Sequence, residues 1–238
     1  MLRKIAALHG FTVNGRVALE QQEHKKYRLT DETKVVNGVT VHRIEAIRSW
    51  GMQYEGKLGG FVEGYKNLAN DADSWSWVGN DAVVYGNAVV RDKGLVVDEA
   101  VVYGSAIVEG YVRNNAQVYE NAKILSGASI GNRAQVYGDA TIKGLVGDYA
   151  SVSGNAVVNH GASVINQARV KDFARIEEAR ICGWSVVGGN VVVSGDVFIN
   201  GFTLGGRLRI TRNLSGSSTV VIDTPEKLAA ILKKQNAD

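Results

Sequence analysis

The sequence predicts an all-β solenoid, a single-stranded parallel β-helix, on three observations. Aliphatic residues recur every six positions as Val78, Val84, Val90, Val96, Val102 and Val108, and the frame then resumes from Val112 to Ile142, from Val146 to Ile176 and from Ile181 to Ile199. The residue two before an anchor is small as far as Ala179, and all eighteen such positions from Ala82 to Ala179 are Ala or Gly. The frame slips, by four, four and five residues, each follow six hexads, near Glu109-Gly110, Lys143-Gly144 and Glu177-Glu178. Internal repetition of this kind is the signature of a solenoid.

Each observation has a physical reading. Alternate side chains of a strand point to opposite faces, so an anchor and the small residue two before it share one side. Three short strands per coil enclose a narrow triangular prism, with aliphatics inside and Ala or Gly where space is tight. Three hexads make one coil, so a slip after six hexads falls at the same corner of the prism on alternate coils. The unit is a two-coil repeat of 34 residues. The twenty-two anchors predict about seven coils, a prism about 35 Å tall at the usual strand spacing. Gly86-Asn87, Gly104-Ser105, Gly138-Asp139 and Gly154-Asn155 supply corners that need unusual dihedrals.

The ends differ from the middle. Phe11–Val17 and Val35–Val41 each read as a hairpin around an Asn-Gly turn. The Lys26–Leu29, Arg43–Ile47 and Leu58–Glu63 stretches then lead into Trp75-Ser76-Trp77-Val78. After the solenoid, Val220–Ile222 reads as a last strand. Thr224-Pro225 starts a helix with Thr at N-cap and Pro at N1, and Leu228, Ala229, Ile231 and Leu232 form its apolar stripe. Such a helix would cover the open end of the prism, as a solenoid requires. The expected organisation is a β capping module over residues 1–73, the solenoid over 74–206 and a C-terminal cap over 207–238.

The aliphatic-and-alanine hexads resemble the hexapeptide repeats of the left-handed β-helix family. The left hand is what that resemblance implies, because the general crossover rule favours the opposite one. The order from residue 26 to 200 also resembles a group of uncharacterised bacterial and phage β-helix proteins, often labelled transferases. In these a small β module with a Gly-Gly-aromatic motif, here Gly59-Gly60-Phe61, caps the first coil. The resemblance implies a phage or prophage origin, a homotrimer with parallel axes and, through the transferase label, acyltransfer from acyl-CoA.

Composition bounds the function. With 27 basic and 24 acidic residues the net charge is +3, too balanced for a nucleic-acid footprint. Cys182 is the single cysteine, so no intrachain disulfide forms, which fits a reducing compartment. The start is too short in apolar residues for a secretory signal, and no run is long enough to span a bilayer. The expected location is the cytoplasm, that of the host if the protein is phage-encoded.

Candidate site residues follow from the frame. Tyr85, Tyr103, Tyr119 and Tyr137 each directly follow an anchor, one coil apart once the slip is counted, and should stack as one outward column. That column is either a structural ladder or a binding strip for a protein or glycan. A second face sets Trp77, Leu95, Tyr111, Leu145 and Phe198 beside its anchors and is a candidate subunit contact. His160 is the one histidine within the repeat. It would be the general base of an acyltransferase, or a solvated corner residue. His9, His24 and His42 lack metal-ligand spacing, so no metal is expected. Leu58-Gly59-Gly60 and Leu204-Gly205-Gly206 lack a phosphate-loop context and read as cap turns. Cys182 should point outward as an exposed thiol near a slip. Three functions compete: a non-catalytic scaffold or binding protein without cofactor, using its outer faces for self-association and for an unidentified protein or glycan; a hexapeptide acyltransferase using acyl-CoA; and a carbohydrate-binding or virion-associated module with the tyrosines as stacking platforms.

Overall fold

In a computed structural model, which describes residues 25–51, 53–71 and 73–235, the chain winds into a parallel β-solenoid of about nine coils. Each coil contributes one short strand to each of three faces. Face one runs from Trp77-Val78 through Leu95-Val96, Tyr111-Val112 and onward to Leu214. Face two runs from Phe61-Val62 through Val83-Val84 to Val221-Ile222. Face three is an eight-stranded sheet from Val89-Val90 to Arg209-Ile210. Coil-to-coil N–H···O bonds climb every face, as in Tyr111 N to Ala128 O at 2.9 Å.

The anchors and small residues lie inside, as their spacing demands. Every anchor from Val78 to Ile199 is fully buried, and the alanines between them are at most 3% exposed. At Gly144 an added Cβ would collide with the carbonyl oxygen of Ala162, so the short corner closes only with glycine there. All three frame slips fall between faces three and one. The alternation continues past them, with Ile210 and Leu214 four apart across that same corner.

The coils extend beyond the expected Val78–Ile199 at both ends, which is why about nine are formed rather than seven. Phe61-Val62 already pairs in parallel with Val83-Val84, and Leu68 bridges Val90. Beyond Ile199 the core continues through Leu204, Ile210, Leu214 and Ile222 at spacings of five, six, four and eight. The hexad frame does not reach these coils because their corners vary in length.

The corner between faces one and two holds a side-chain ladder that the period-six frame does not announce. Asn80, Asp98, Asn114, Asn132, Asp148 and Asn166 occupy it in successive coils, each with φ between 55° and 63°. Asn and Asp tolerate this left-handed region because their short side chains bond locally. Here they bond from coil to coil. Asn80 Nδ2 donates to Asp98 Oδ1 at 3.0 Å, Asn132 Nδ2 to Asp148 Oδ1 at 2.9 Å and the Asn166 amide to Asp148 Oδ2 at 2.9 Å. The Gly-Asn and Gly-Ser corners between faces two and three turn as expected, with Gly86, Gly104, Gly138 and Gly154 at φ 67–72°.

The N-terminal end is closed by an antiparallel sheet of β1 (Tyr27–Val36), β2 (Val39–Ala46) and β3 (Leu58–Val62). The Asn37-Gly38 hairpin forms, with both residues at positive φ. The hairpin expected at Phe11–Val17 lies outside the described residues. Leu58-Gly59-Gly60 is part of strand β3, not a cap turn, and a Cβ on Gly59 would stand 2.6 Å from Ile44, Trp77 and Val78 atoms. The double glycine lets β3 lie flat on the first coil. Lys26 and Tyr27 plug the prism. The fully buried Lys26 ammonium donates to Ser74 O, Ser76 O and Ser76 Oγ at 2.9–3.1 Å, and the Tyr27 hydroxyl donates to Leu68 O at 2.9 Å. At the other end α1 (Pro225–Gln235) starts as expected, with Thr224 Oγ1 accepting from Lys227 N at 3.3 Å. Leu228, Ile231 and Leu232 pack on the core, while Ala229 faces solvent. Among the described residues no helix is long and apolar enough to cross a membrane.

Candidate functional site

The tyrosine column exists as a stack. Tyr85, Tyr103, Tyr119 and Tyr137 have ring centroids 5.3, 5.0 and 5.0 Å apart and interplanar angles of 7°, 7° and 0°. Coil spacing sets this distance, and the parallel ladder keeps the ring planes nearly parallel. The ring faces are therefore spent on one another, leaving edges and hydroxyls outward. Tyr85 leaves the prism as expected but is only 7% exposed. The β1–β2 hairpin covers it, and Asn37 Nδ2 donates to its hydroxyl at 2.9 Å. Tyr103 and Tyr119 are half-buried. Burial, with Tyr137, Tyr103 and Glu120 nearby, pushes the Tyr119 phenol up to about 12, and burial raises Tyr103 as well.

On face one, Leu145 and Phe198 are exposed as expected, while Leu95 and Tyr111 are half-buried. Trp77 corrects the expectation. It is 2% exposed, because the capping sheet folds over it and sets Tyr27 and Trp50 edge-on to its ring at 6.5 and 5.2 Å. Two aromatic residues that the frame did not single out stand out at the corner beside this face. Tyr149 and Trp184 are more than 60% exposed at corner positions where other coils place Asp81, Glu99, Asn115, Arg133 and Gln167. The available signal was this break in a polar column. The Arg133 guanidinium lies 5.7 Å from the Tyr149 ring centroid.

The three faces differ in charge. From Val83 to Thr211, the positions flanking the anchors on face one carry Arg113 and Arg180, and those on face two carry Arg169 and Lys171. On face three the same positions carry Arg91, Glu109, Lys123, Lys143, Arg175, Glu177 and Arg209. Face three has the composition of a solvated surface; the other two do not.

His160 is exposed on a long corner, at a cleft of about 410 Å3 that it shares with Lys143, Glu177 and Glu178. The tyrosines lie on face two, away from the corner between faces three and one that holds His160. Cys182 departs from the expected exposed thiol. It is 5% exposed, its Sγ lies 3.5 Å from Ile199 O, and burial pushes the thiol pKa up. The coil Phe198–Leu204 runs directly over it and covers a side chain this short. Among the described residues no cluster of three or more His, Cys, Asp or Glu could hold a metal. No protein-family model matches the chain, and a search of curated proteins finds no match.

The buried groups set an alkaline stability profile. Burial lowers Lys26 to about 8, partly offset by Asp71. Between about pH 8 and 10 the unfolded chain holds a proton there that the folded chain has lost, so stability rises, by on the order of 2 kcal/mol. Tyr27, Tyr103 and Tyr119 are all raised by burial, so above their ordinary value of 10.0 the unfolded chain sheds protons that the folded one keeps. Stability then falls. The raised Cys182 thiol opposes the Lys26 rise above 9.0, so denaturant melts at stepped pH should show a maximum between about pH 9 and 10, and Lys26→Met should remove the rising limb.

Proposed function

We propose that this protein is a non-catalytic scaffold of the left-handed hexapeptide-repeat type that works through its two low-charge faces. The observation that carries the reading is the charge partition: between Val83 and Thr211, face three bears seven charged flanking residues and faces one and two bear two each. Depletion of charge with exposed aromatics is the compositional mark of a contact surface. Leu145, Phe198, Tyr149 and Trp184 on and beside face one support self-association, as a parallel homotrimer. The tyrosine column on face two supports a protein partner over a glycan. Its rings are stacked on one another, which leaves a sugar at most the outer face of Tyr137, whereas a row of hydroxyls suits backbone groups.

The central pair, Tyr103 and Tyr119, is the part of the column best placed for desolvation by a partner. Replacing both by Ser should leave the coil intact, since neither side chain is in the prism. It should weaken the contact, self-association included, by at least about 2 kcal/mol. Sedimentation equilibrium alongside a thermal melt checks this. A variant that melts far below the parent with its assembly unchanged makes the column a structural ladder.

The competing reading is an acyltransferase with His160 as general base, and its support is that residue's position at an open cleft. Saturable acetyl-CoA binding, weakened by His160→Ala, would replace the scaffold reading.

A further inference from the structure

A second site lies at the N-terminal end of the solenoid, remote from His160, and its case does not rest on the scaffold reading. Trp75 is 61% exposed, yet its position is fixed. Its amide donates to Asp92 O at 2.8 Å. One side of the indole lies on Gly51, where an added Cβ would stand 3.2 Å from the ring. Gly51 sits in a turn closed by reciprocal Trp50–Gln53 backbone bonds of 3.0 and 2.8 Å. On that side the indole thus rests on a position that carries no side chain. Beside it opens a cleft of about 670 Å3, a volume in the range of small-molecule sites. Asp71, Asp73 and Asp92 line it together with Arg91 and Lys93.

We propose that this cleft binds a neutral saccharide, with Trp75 as the platform for one pyranose ring. The apolar C–H face of a pyranose packs on an indole, which offers a broad rigid surface at little entropic cost. Sugar hydroxyls both donate and accept. Carboxylates accept from them and Arg91 or Lys93 donates to them, so the mixed lining serves one polyol. The same lining sets three carboxylates against Arg91 and Lys93, so the charges largely cancel and neither sign of ion is strongly favoured. Arg91 is also held to Glu109 at 2.7 Å, which fixes its guanidinium at the rim.

The test is titration of the intact protein with chitotriose, maltotriose and laminaritriose, read by the indole N–H resonances in NMR. At least one should move the Trp75 resonance saturably while Trp184, equally exposed, stays put. Added salt should not change the affinity, because the ligand is uncharged. Trp75→Ala should weaken binding at least about tenfold, as loss of a central aromatic anchor does, with the circular dichroism spectrum unchanged. Trp75→Phe should retain part of the binding. The proposal is overturned if none of the three moves Trp75. It is overturned equally if Trp75 and Trp184 shift together, which is generic stacking on open indoles. A response confined to acetylcholine or spermidine, and lost with salt, would make the cleft a cation site and overturn it too.

Discussion

Replacing Val136 by Asp will prevent the protein from folding to a soluble solenoid. Val136 is fully buried on face two, between Val118 below and Val152 above. The interior around it is aliphatic and alanine, so a carboxylate there meets no donor and no cation. The cost is at least about 4 kcal/mol, in the range reserved for buried unpaired charge. A solenoid makes this worse, because each coil is stable only against its neighbours and a broken rung severs the stack. The expected outcome is insoluble or unfolded protein by circular dichroism. A variant with the parent's spectrum and melting temperature would contradict the inward assignment of the anchor track.

The second large effect is expected at the corner ladder. Asp148 sits at φ 57° and accepts from Asn132 Nδ2, Asn166 N and Asn166 Nδ2 at 2.9, 2.9 and 3.1 Å. Asp148→Val imposes a β-branched side chain on a left-handed backbone, at about 1–2 kcal/mol. It also removes acceptors that tie two neighbouring coils, for about another 1 kcal/mol after exchange with water. The sum is a loss of about 2–3 kcal/mol. Asp148→Asn should be nearly silent, since Asn tolerates the same φ and keeps one acceptor oxygen. Urea unfolding of the two variants against the parent decides it. Equal destabilisation by Val and Asn would show that charge, not backbone conformation, sets this corner.

The contrast between these two positions shows what the sequence made legible. Val136 was readable because burial in a prism is a strict period-six property, repeated in every coil without exception. The ladder was present in the letters too, with Asn or Asp two residues after each face-one anchor from Val78 to Val164. It was missed because Asn and Asp are ordinary corner residues, and only the backbone angles show them bonding from coil to coil. Trp77 and Tyr85 were placed correctly as outside the prism and wrongly as open to solvent. Periodicity sorts inside from outside of a coil; it carries no information about the antiparallel sheet that folds back over both. Cys182 failed for a related reason, since its cover is the following coil. The extra coils at each end escaped because their corners abandon the hexad length while their interior residues remain aliphatic. Tyr149 and Trp184 were open to discovery as aromatic intrusions in a column of Asp, Glu, Asn, Arg and Gln. Finding them required tracking corner positions as closely as anchors.

The measurement that bears most directly on the scaffold reading is the mass of the intact chain in solution by sedimentation equilibrium at tens of micromolar. Faces one and two, poor in charge and flanked by exposed Leu145, Tyr149 and Trp184, predict a trimer of the 25.6 kDa chain that dissociates when those side chains are replaced by Ser. A monomer at that concentration would contradict the account, since face one, with exposed Leu145 and Phe198, would then stand open to water with no copy of the chain to cover it.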